Sequence, residues 1–533
     1  MSETTSNAIS QSADSCLGPT NEFEERQRKL QELRDLNIQP YAERFDRTHT
    51  TQEALEEGKN NPPRAWEEIV KSANPESADS RLGRTIQLCG RLMLLRPHGK
   101  LSFAHLQDIS GKMQICFMQD LLGPENYKLL KKIDIGDFVG VKGELFITKH
   151  GEMTLLVTEY QLLSKTLRPL PEKWHGLSDQ ETKYRYRYLE LLTSQEAFNR
   201  FKFRTNLIST MRRFLDENQF TEVETPILTS IASGAAAKPF STHHNALDID
   251  MFLRIAPETY LKRCIVGGFE RVYEFAKCFR NEGIDPSHLQ EFTMLEFYAA
   301  YWNFEDNMAF TEKMITHSLQ TLLGTLKIEL VDREGNQQMI DFTGPWPRLN
   351  FADIIKNDSG IDILAHSGDA KILLTAIKEK GIHIEKADKL GYGNLCDALY
   401  KKVSRPKLIQ PCFVIKHPVE TKPLARRNDE NPQLADTFQL LVNTWEIVNA
   451  YSELIDPLDQ RARLENQAKA KDAGDEEAMP MDEDYLYAME HGMPPMSGFG
   501  MGIDRLTALL TNQDNLKDTV LFPIMRPLDQ TQN

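Results

Sequence analysis

Five short strand patterns followed by a longer mixture of helical and strand patterns predict an α+β chain in two parts. The strand patterns fill residues 81–165, punctuated by Gly and by Lys or His, as in a small antiparallel barrel. The mixed region runs from about 191 to 533. A length of 533 residues accommodates two or three domains.

In chain order, residues 1–21 are polar and lack the basic start and apolar stretch of a secretory signal, so they read as a disordered tail. NEFEERQRKLQELRD is an amphipathic helix with Phe23, Leu30 and Leu33 near one stripe. Residues 59–80, with Pro62 and Pro63, complete a helical extension and connector over 22–80. The barrel strands are TIQLCGRLMLL, LSFAHLQDIS, KMQICFMQD, DFVGVKGELFIT and MTLLVTEYQLLS. With the helical NYKLLKKI before the fourth, they suit an OB-fold, a barrel that commonly stacks single-stranded nucleic acid on its aromatics. Residues 166–190 read as a hinge, whose KYRYRY run is a solvated helix face or an RNA contact.

Beyond the hinge, AFNRFKFRTNLISTMRRFLDENQF has apolar residues at helical spacing and runs into the strand-like TEVETPIL, ended by Pro226. Several short helical patterns over 351–410 read as a helical insertion. The acidic, Ala-rich stretch 466–484 reads as a loop or an exposed helix.

Composition narrows the class. Hydrophobic content of 40% and charged content of 26% are ordinary for a soluble globular protein. No apolar run approaches the roughly 20 residues needed to cross a bilayer. Seven cysteines without a CxxC pair argue against a disulfide framework or zinc site and fit a reducing cytosol. The net charge of −15 points away from wholesale nucleic-acid binding, although an acidic protein can present a local basic groove.

Three segments carry chemistry. FRNEGIDPSHLQEFTMLEFY, 279–298, reads as two strands joined by a polar loop. Strand alternation puts Phe292, Met294, Glu296 and Tyr298 on one face, and Thr293, Leu295 and Phe297 on the other. Arg280 and Glu282 sit at the mouth of this hairpin, with His288 in its loop. A guanidinium for phosphate, an aromatic for a base and a carboxylate for an amine suggest a nucleotide beside a cationic small molecule. In WEIVNAYSELIDP, Asn449, Tyr451 and Glu453 share a face, while Glu446 has the opposite parity and lies on the other face or before a bulge. In SGFGMGIDRLTALL, three alternating glycines precede Asp504 and Arg505 at a helix start, and the GxGxG spacing is not a dinucleotide fingerprint. LRIAPETYLKR adds Glu258 at a helix start, and Gly234 in SGAAAKPF allows close backbone approach.

On these residues the chain resembles the class II aminoacyl-tRNA synthetases from about residue 22 to its C-terminus, most closely the lysine-specific members. Residues 279–298 match motif 2, 497–510 match motif 3, and the helix, strand and Pro226 match motif 1, the dimer interface of the family. The resemblance implies a catalytic domain on an antiparallel sheet flanked by helices, preceded by an OB-fold that reads the anticodon. It implies a cytoplasmic homodimer that joins L-lysine to tRNA-Lys with ATP and Mg2+. Arg280 would bridge the lysine carboxylate and the α-phosphate, Phe292 would stack on adenine, and Arg505 would cover its other face or the γ-phosphate. Glu282 and His288 would serve the nucleotide. Asn449 would also hold the carboxylate, and Glu258 with the Gly234 backbone the α-amino group. Glu296, Tyr298 and Glu453 would surround the ε-ammonium, with Tyr451 on the same wall. Glu446 matches one metal position, and Gln439 stands where the family has a glutamate. Phe103, Gln114 and Glu152 match positions that hold anticodon bases. Thr437, Leu289, Gln290 and Lys238 depart from the family pattern.

Overall fold

The computed structural model describes residues 21–68, 84–171, 177, 179–331, 335–366, 368–472 and 478–528. The expected tail and residues 69–80 of the expected connector therefore lie outside the described residues, apart from Asn21. The chain divides into two units, Met1–Thr182 and Lys183–Asn533, a boundary inside the segment read as a hinge.

In the first unit, helix α1 (Asn21–Asp35) buries Leu30 and Leu33, as its stripe requires. Helix α2 (Thr51–Asn60) starts on a capping box, in which Thr50 and Glu53 satisfy each other's backbone N–H groups. Five strands follow, β1 (Ile86–His98), β2 (Leu101–Gln107), β3 (Lys112–Met118), β4 (Phe138–Ile147) and β5 (Met153–Ser164). Short helix α3 (Pro124–Leu129) precedes the fourth. Pairing runs β4–β1–β2–β3–β5 and returns from β5 to β4, so the sheet closes and leaves no free edge among these strands. Alternate residues point inward, and Leu88, Leu106, Ile115, Val141 and Leu155 are among those that fill the barrel.

Two expectations for this region change. Arg64 and Ala65, read as connector, pair in parallel with β4, and the Arg64 guanidinium holds Glu144 at 2.6 Å. The KYRYRY run is not a uniformly solvated face. Arg187 is fully buried and donates to the carbonyls of Lys517 and Leu521 and to Glu190. A guanidinium tolerates burial when its donors are all met, and here chain distant in sequence meets them.

The second unit is built on eight strands. Helix α4 (Gln195–Glu217) leads into strand β6 (Thr221–Glu222), and helix α5 (Glu258–Val266) precedes the hairpin β7 (Arg271–Phe279) and β8 (Glu291–Ala300). Helix α6 (Phe304–Leu323) follows, then β9 (Arg348–Asn350), β10 (Cys412–Ile415), β11 (Thr437–Val442), β12 (Trp445–Ser452), β13 (Met496–Gly502) and helix α7 (Ile503–Leu510). The spatial order is β9–β10–β11–β12–β13–β8–β7–β6. The central pairings are antiparallel, and a short parallel strand lies at each edge. Between β9 and β10, helices at Phe351–Ser359, Ala370–Glu379 and Tyr392–Val403 pack around their own core of Ile355, Leu373, Leu395 and Leu399.

One face of this sheet is dry. Leu295, Phe297, Phe499, Met501, Phe438 and Leu440 pack there against Met211 and Phe214 of α4, Met308 and Met314 of α6, and Leu506 of α7. Phe297 and Phe499 stack at 4.3 Å. The opposite face, displaced by one residue along each strand, forms the cleft.

A buried carboxylate ties the layers. Asp504, at the first turn of α7, accepts from the Thr293 amide at 2.7 Å and from the Arg204 guanidinium of α4 at 2.8 Å. Removing it leaves Arg204 without its counter-charge and the Thr293 N–H unmet. Asp504→Ala is expected to cost about 3–5 kcal/mol in urea unfolding of the intact chain followed by near-UV circular dichroism.

Candidate active site

Register sets the site in rows. Directly opposite residues on antiparallel neighbours point to the same side. One row across the cleft face therefore runs Glu274, Glu296, Gly500, Asn449 and Gln439. The next runs Val272, Tyr298, Gly498, Tyr451 and Thr437. The alternating glycines of β13 are thus the floor of the cleft. A Cβ at Gly498 would lie 2.1 Å from Glu453 Oε1 and 2.4 Å from the Tyr298 ring. Their spacing is the strand period, with the cleft-side positions Gly498, Gly500 and Gly502 emptied of side chains.

The parity of Glu446 is resolved by a bulge. Leu440 pairs with Val448 but Leu441 pairs with Glu446, so Ile447 is the extra residue. The shift returns Glu446 to the cleft side, where it lines a cavity with Asn449.

Two adjoining cavities occupy the cleft. The first, of about 170 Å³, is lined by Arg280, Glu282, His288, Phe292, Glu446 and Arg505 among others. The Arg280 guanidinium carbon lies 5.1 Å from the Phe292 ring centre, and its Nε is buried without a hydrogen-bond partner. Arg505 donates to the Glu446 carbonyl at 3.2 Å, and His288 is held by Asp285 at 2.7 Å. Neither Arg280 nor Arg505 has a carboxylate within ion-pair distance among the described residues. A polyanion is what such a pair of guanidinia can bind.

The second cavity, of about 290 Å³, is lined by Gly234, Glu258, Glu296, Tyr298, Tyr451 and Lys422, and shares Arg280, Met294, Asn449 and Gly500 with the first. Gly234 has φ +92°, open to glycine, and its missing Cβ would sit 3.1 Å from that of Glu258. Glu258, Glu296 and Glu453 are all buried around this cavity. Tyr451 donates to Glu258 at 2.6 Å, and Tyr298 to Glu296 at 3.3 Å.

Sequence reading missed the resident cation of this cluster. Lys262 of α5 is fully buried, bonds Glu258 at 2.6 Å and pairs with Glu453. Its helical spacing four residues after Glu258 was the available signal. Burial alone would lower the Lys262 ammonium, but Glu258 and Glu453 hold it well above the ordinary lysine range. Glu453 is pushed up by burial against Lys262, with Glu258 and Glu296 adding to the rise. Its Oε1 makes no hydrogen bond.

Glu296 is the unmatched member. Opposite it on β7, Glu274 is paired with Arg254 at 2.7 Å, whereas Glu296 has no cation within ion-pair distance among the described residues. Burial, then the like charge of Glu258, push its carboxyl up to about 8 against the pull of Arg280. Three carboxylates with one resident ammonium make a hole for a second cation.

Gln439 lies on the cleft face but does not line either cavity, and next to it Thr437 bonds the buried His417 at 2.9 Å. Burial, then the nearby Lys422, keep that imidazole neutral. Among the described residues no group of three His, Cys, Asp or Glu side chains is arranged to hold a metal. In the barrel, Phe103 is half-buried on the outer face beside Trp66, Cys116 and Phe146. Gln114 is on the same side of the barrel wall, donating to Thr154 at 2.8 Å, and Glu152 is exposed in the turn before β5.

Residues 179–526 match the family model for class II tRNA synthetases (D, K and N), and residues 86–163 match that for an OB-fold nucleic acid binding domain. The chain belongs to the class II tRNA synthetases. Among curated relatives, the lysine–tRNA ligase of Carboxydothermus hydrogenoformans is 46% identical over 95% of this chain and 98% of its own. That of Pelotomaculum thermopropionicum is 46% identical over 94% of each chain, and that of Aquifex aeolicus 47% over 86% of this chain and 76% of its own. In this synthetase the two cavities of the cleft meet along a shared wall, with guanidinia in the outer one and carboxylates around the inner one.

Adding one methyl group at Gly498 should close the inner cavity. Gly498→Ala is expected to weaken amino-acid binding by about 2 kcal/mol, within the usual overpacking range, when measured by calorimetry without ATP.

Proposed function

We propose that this synthetase is a cytoplasmic lysine–tRNA ligase acting as a homodimer. It activates L-lysine with ATP to lysyl-adenylate and pyrophosphate, then transfers lysine to the 3′ end of tRNA-Lys. The observation that carries the specificity is Glu296, a buried carboxylate with no ion-pair partner among the described residues, beside the Glu453 and Tyr298 wall. The lysine ε-ammonium is the missing charge. An uncharged amino acid side chain would leave the hole uncompensated.

The rows support the remaining roles. Glu258 and the Gly234 backbone receive the α-amino group, and Tyr451 keeps Glu258 in place. Arg280 and Asn449, on the shared wall, hold the lysine carboxylate against the α-phosphate. Adenine lies on Phe292, with Arg505, Glu282 and His288 around the nucleotide. Attack of the carboxylate on the α-phosphate is chiefly a matter of alignment and charge neutralisation, which preorganised guanidinia supply.

Glu446 fits a Mg2+ ion carried on ATP. Its carboxylate faces the nucleotide cavity and has no partner among the described residues. When bound, the ion would neutralise phosphate charge. Gln439 would offer it at most a neutral amide oxygen.

The barrel supports anticodon recognition, with Phe103 as the stacking plate and Gln114 and Glu152 as hydrogen-bonding groups. Helix α4 and the apolar Ile227 and Leu228, exposed after Pro226, support the dimer face. No described helix is long and apolar enough to cross a membrane.

Pyrophosphate–ATP exchange across the twenty amino acids, without tRNA, tests the reading. Exchange driven by lysine alone is expected, and exchange driven by another amino acid would overturn it. The Glu296 carboxyl supplies an independent check with a defined sign. Below about 8 it holds a proton that must leave when the ε-ammonium enters. Lysine affinity should therefore rise with pH between about 6 and 8 and level off above, until lysine's own ammonium titrates near 10.4. Calorimetry in buffers of differing ionisation enthalpy should show proton release near pH 7, and Glu296→Gln should abolish that part of it.

For the barrel, Phe103→Ala is expected to weaken tRNA charging by about 1–3 kcal/mol while sparing pyrophosphate exchange. Equal loss in both assays would remove the separate anticodon role.

A further inference from the structure

Lys422 is the one charged residue along the inner cavity wall, among the described residues, to which no role has yet been given. It lies between the short helix Val419–Thr421 and Pro423, half-buried, and its Nζ donates to Asn449 Oδ1 at 3.0 Å. Among the described residues no carboxylate lies within ion-pair distance of it. The groups whose fields reach it are Glu446, Asp397 and Glu258, which favour its charge, and Lys401, which opposes it. His417 also lies close enough to feel its charge. Burial lowers the ammonium, so an anion beside it would be stabilised in return.

Two consequences follow from this single hydrogen bond. An amide oxygen that accepts from an ammonium turns its NH2 group the other way, so Asn449 is presented to the shared wall as a donor. An ammonium has three donors, and among the described residues one of them is used here. The spare N–H groups sit one hydrogen bond from Asn449, on the boundary of the two cavities that Arg280 also lines.

We propose that Lys422 is a second cation for the amino acid carboxylate, acting with Arg280 as a two-sided clamp and fixing the Asn449 amide as donor between them. The proposal rests on the reading of the inner cavity as the lysine site. It assigns a specificity-determining contact to a residue outside the three motif segments. The cavity would then select an amino acid at both ends by opposite charges. Carboxylates Glu296 and Glu453 hold the side-chain ammonium, and cations Arg280 and Lys422 hold the carboxylate.

The test compares L-lysine with L-lysinamide, which keeps both amines and lacks the carboxylate. Binding is measured by calorimetry on the full chain, without ATP, for the natural protein, Lys422→Met and Lys422→Arg. The expected result is a loss of tenfold or more in lysine affinity for Lys422→Met, with lysinamide affinity changed less than threefold. Lys422→Arg should recover most of the lysine affinity. Equal weakening of both ligands would overturn the clamp and leave Lys422 a prop for the cavity wall. Unchanged lysine binding, with or without a higher KM for ATP, would overturn it too. Failure of the natural protein to bind lysine at all is a different outcome, and overturns the lysine-site reading on which the clamp rests.

Discussion

The structure depends on a deficit of positive charge inside its cleft. Glu258, Glu296 and Glu453 are buried together, and among the described residues Lys262 is the one cation in ion-pair contact with them. Buried like charges are tolerated only if partners are found or protons retained, and this cluster does both. Lys262 pairs with two of the three carboxylates. The third, Glu296, keeps its proton to about 8 until a cation arrives. The surrounding tyrosines donate without adding charge at neutral pH, so they satisfy lone pairs while leaving the deficit intact.

That deficit can be sustained because the sheet beneath it is stiff. Every cleft residue of β8 has a core residue beside it, and the stacked Phe297 and Phe499 lock the strands carrying Glu296 and the glycine floor. The two faces are strictly coupled by the strand period, so a one-residue slip would bury the carboxylates in the aromatic core. Asp504 prevents the corresponding slip of α7 by gripping the Thr293 amide of β8. Arg505 is therefore placed by a neighbour with a structural task of its own.

The buried carboxylates Glu258, Glu296 and Glu453 gather at the inner end of the cleft. Arg280 and Arg505 lie in the outer cavity, where Glu282 and Glu446 also stand. A zwitterion with a cationic tail matches this gradient along its length, and a triphosphate continues it. On the function proposed, the field would orient the substrate before any single hydrogen bond forms.

Much of this was legible in the sequence. Strand alternation alone sorted Phe292, Glu296 and Tyr298 from Leu295 and Phe297, since a period of two requires no tertiary information. The five barrel strands and the helix before the fourth were likewise local patterns, and resemblance supplied the identities of the contacts. Three things were decided only by tertiary structure. The parity of Glu446 depended on a bulge at Ile447, set by pairing with β11 and not by the residues of β12. Arg187, in a run of alternating Lys, Arg and Tyr, was buried by carbonyls more than 300 residues away in sequence. Lys262 and Lys422 read locally as ordinary charged residues of a helix and a loop. Their meaning lies in which carboxylates and amides the fold sets within reach, and apart from the four-residue spacing of Glu258 and Lys262 those pairings leave no trace in the chain.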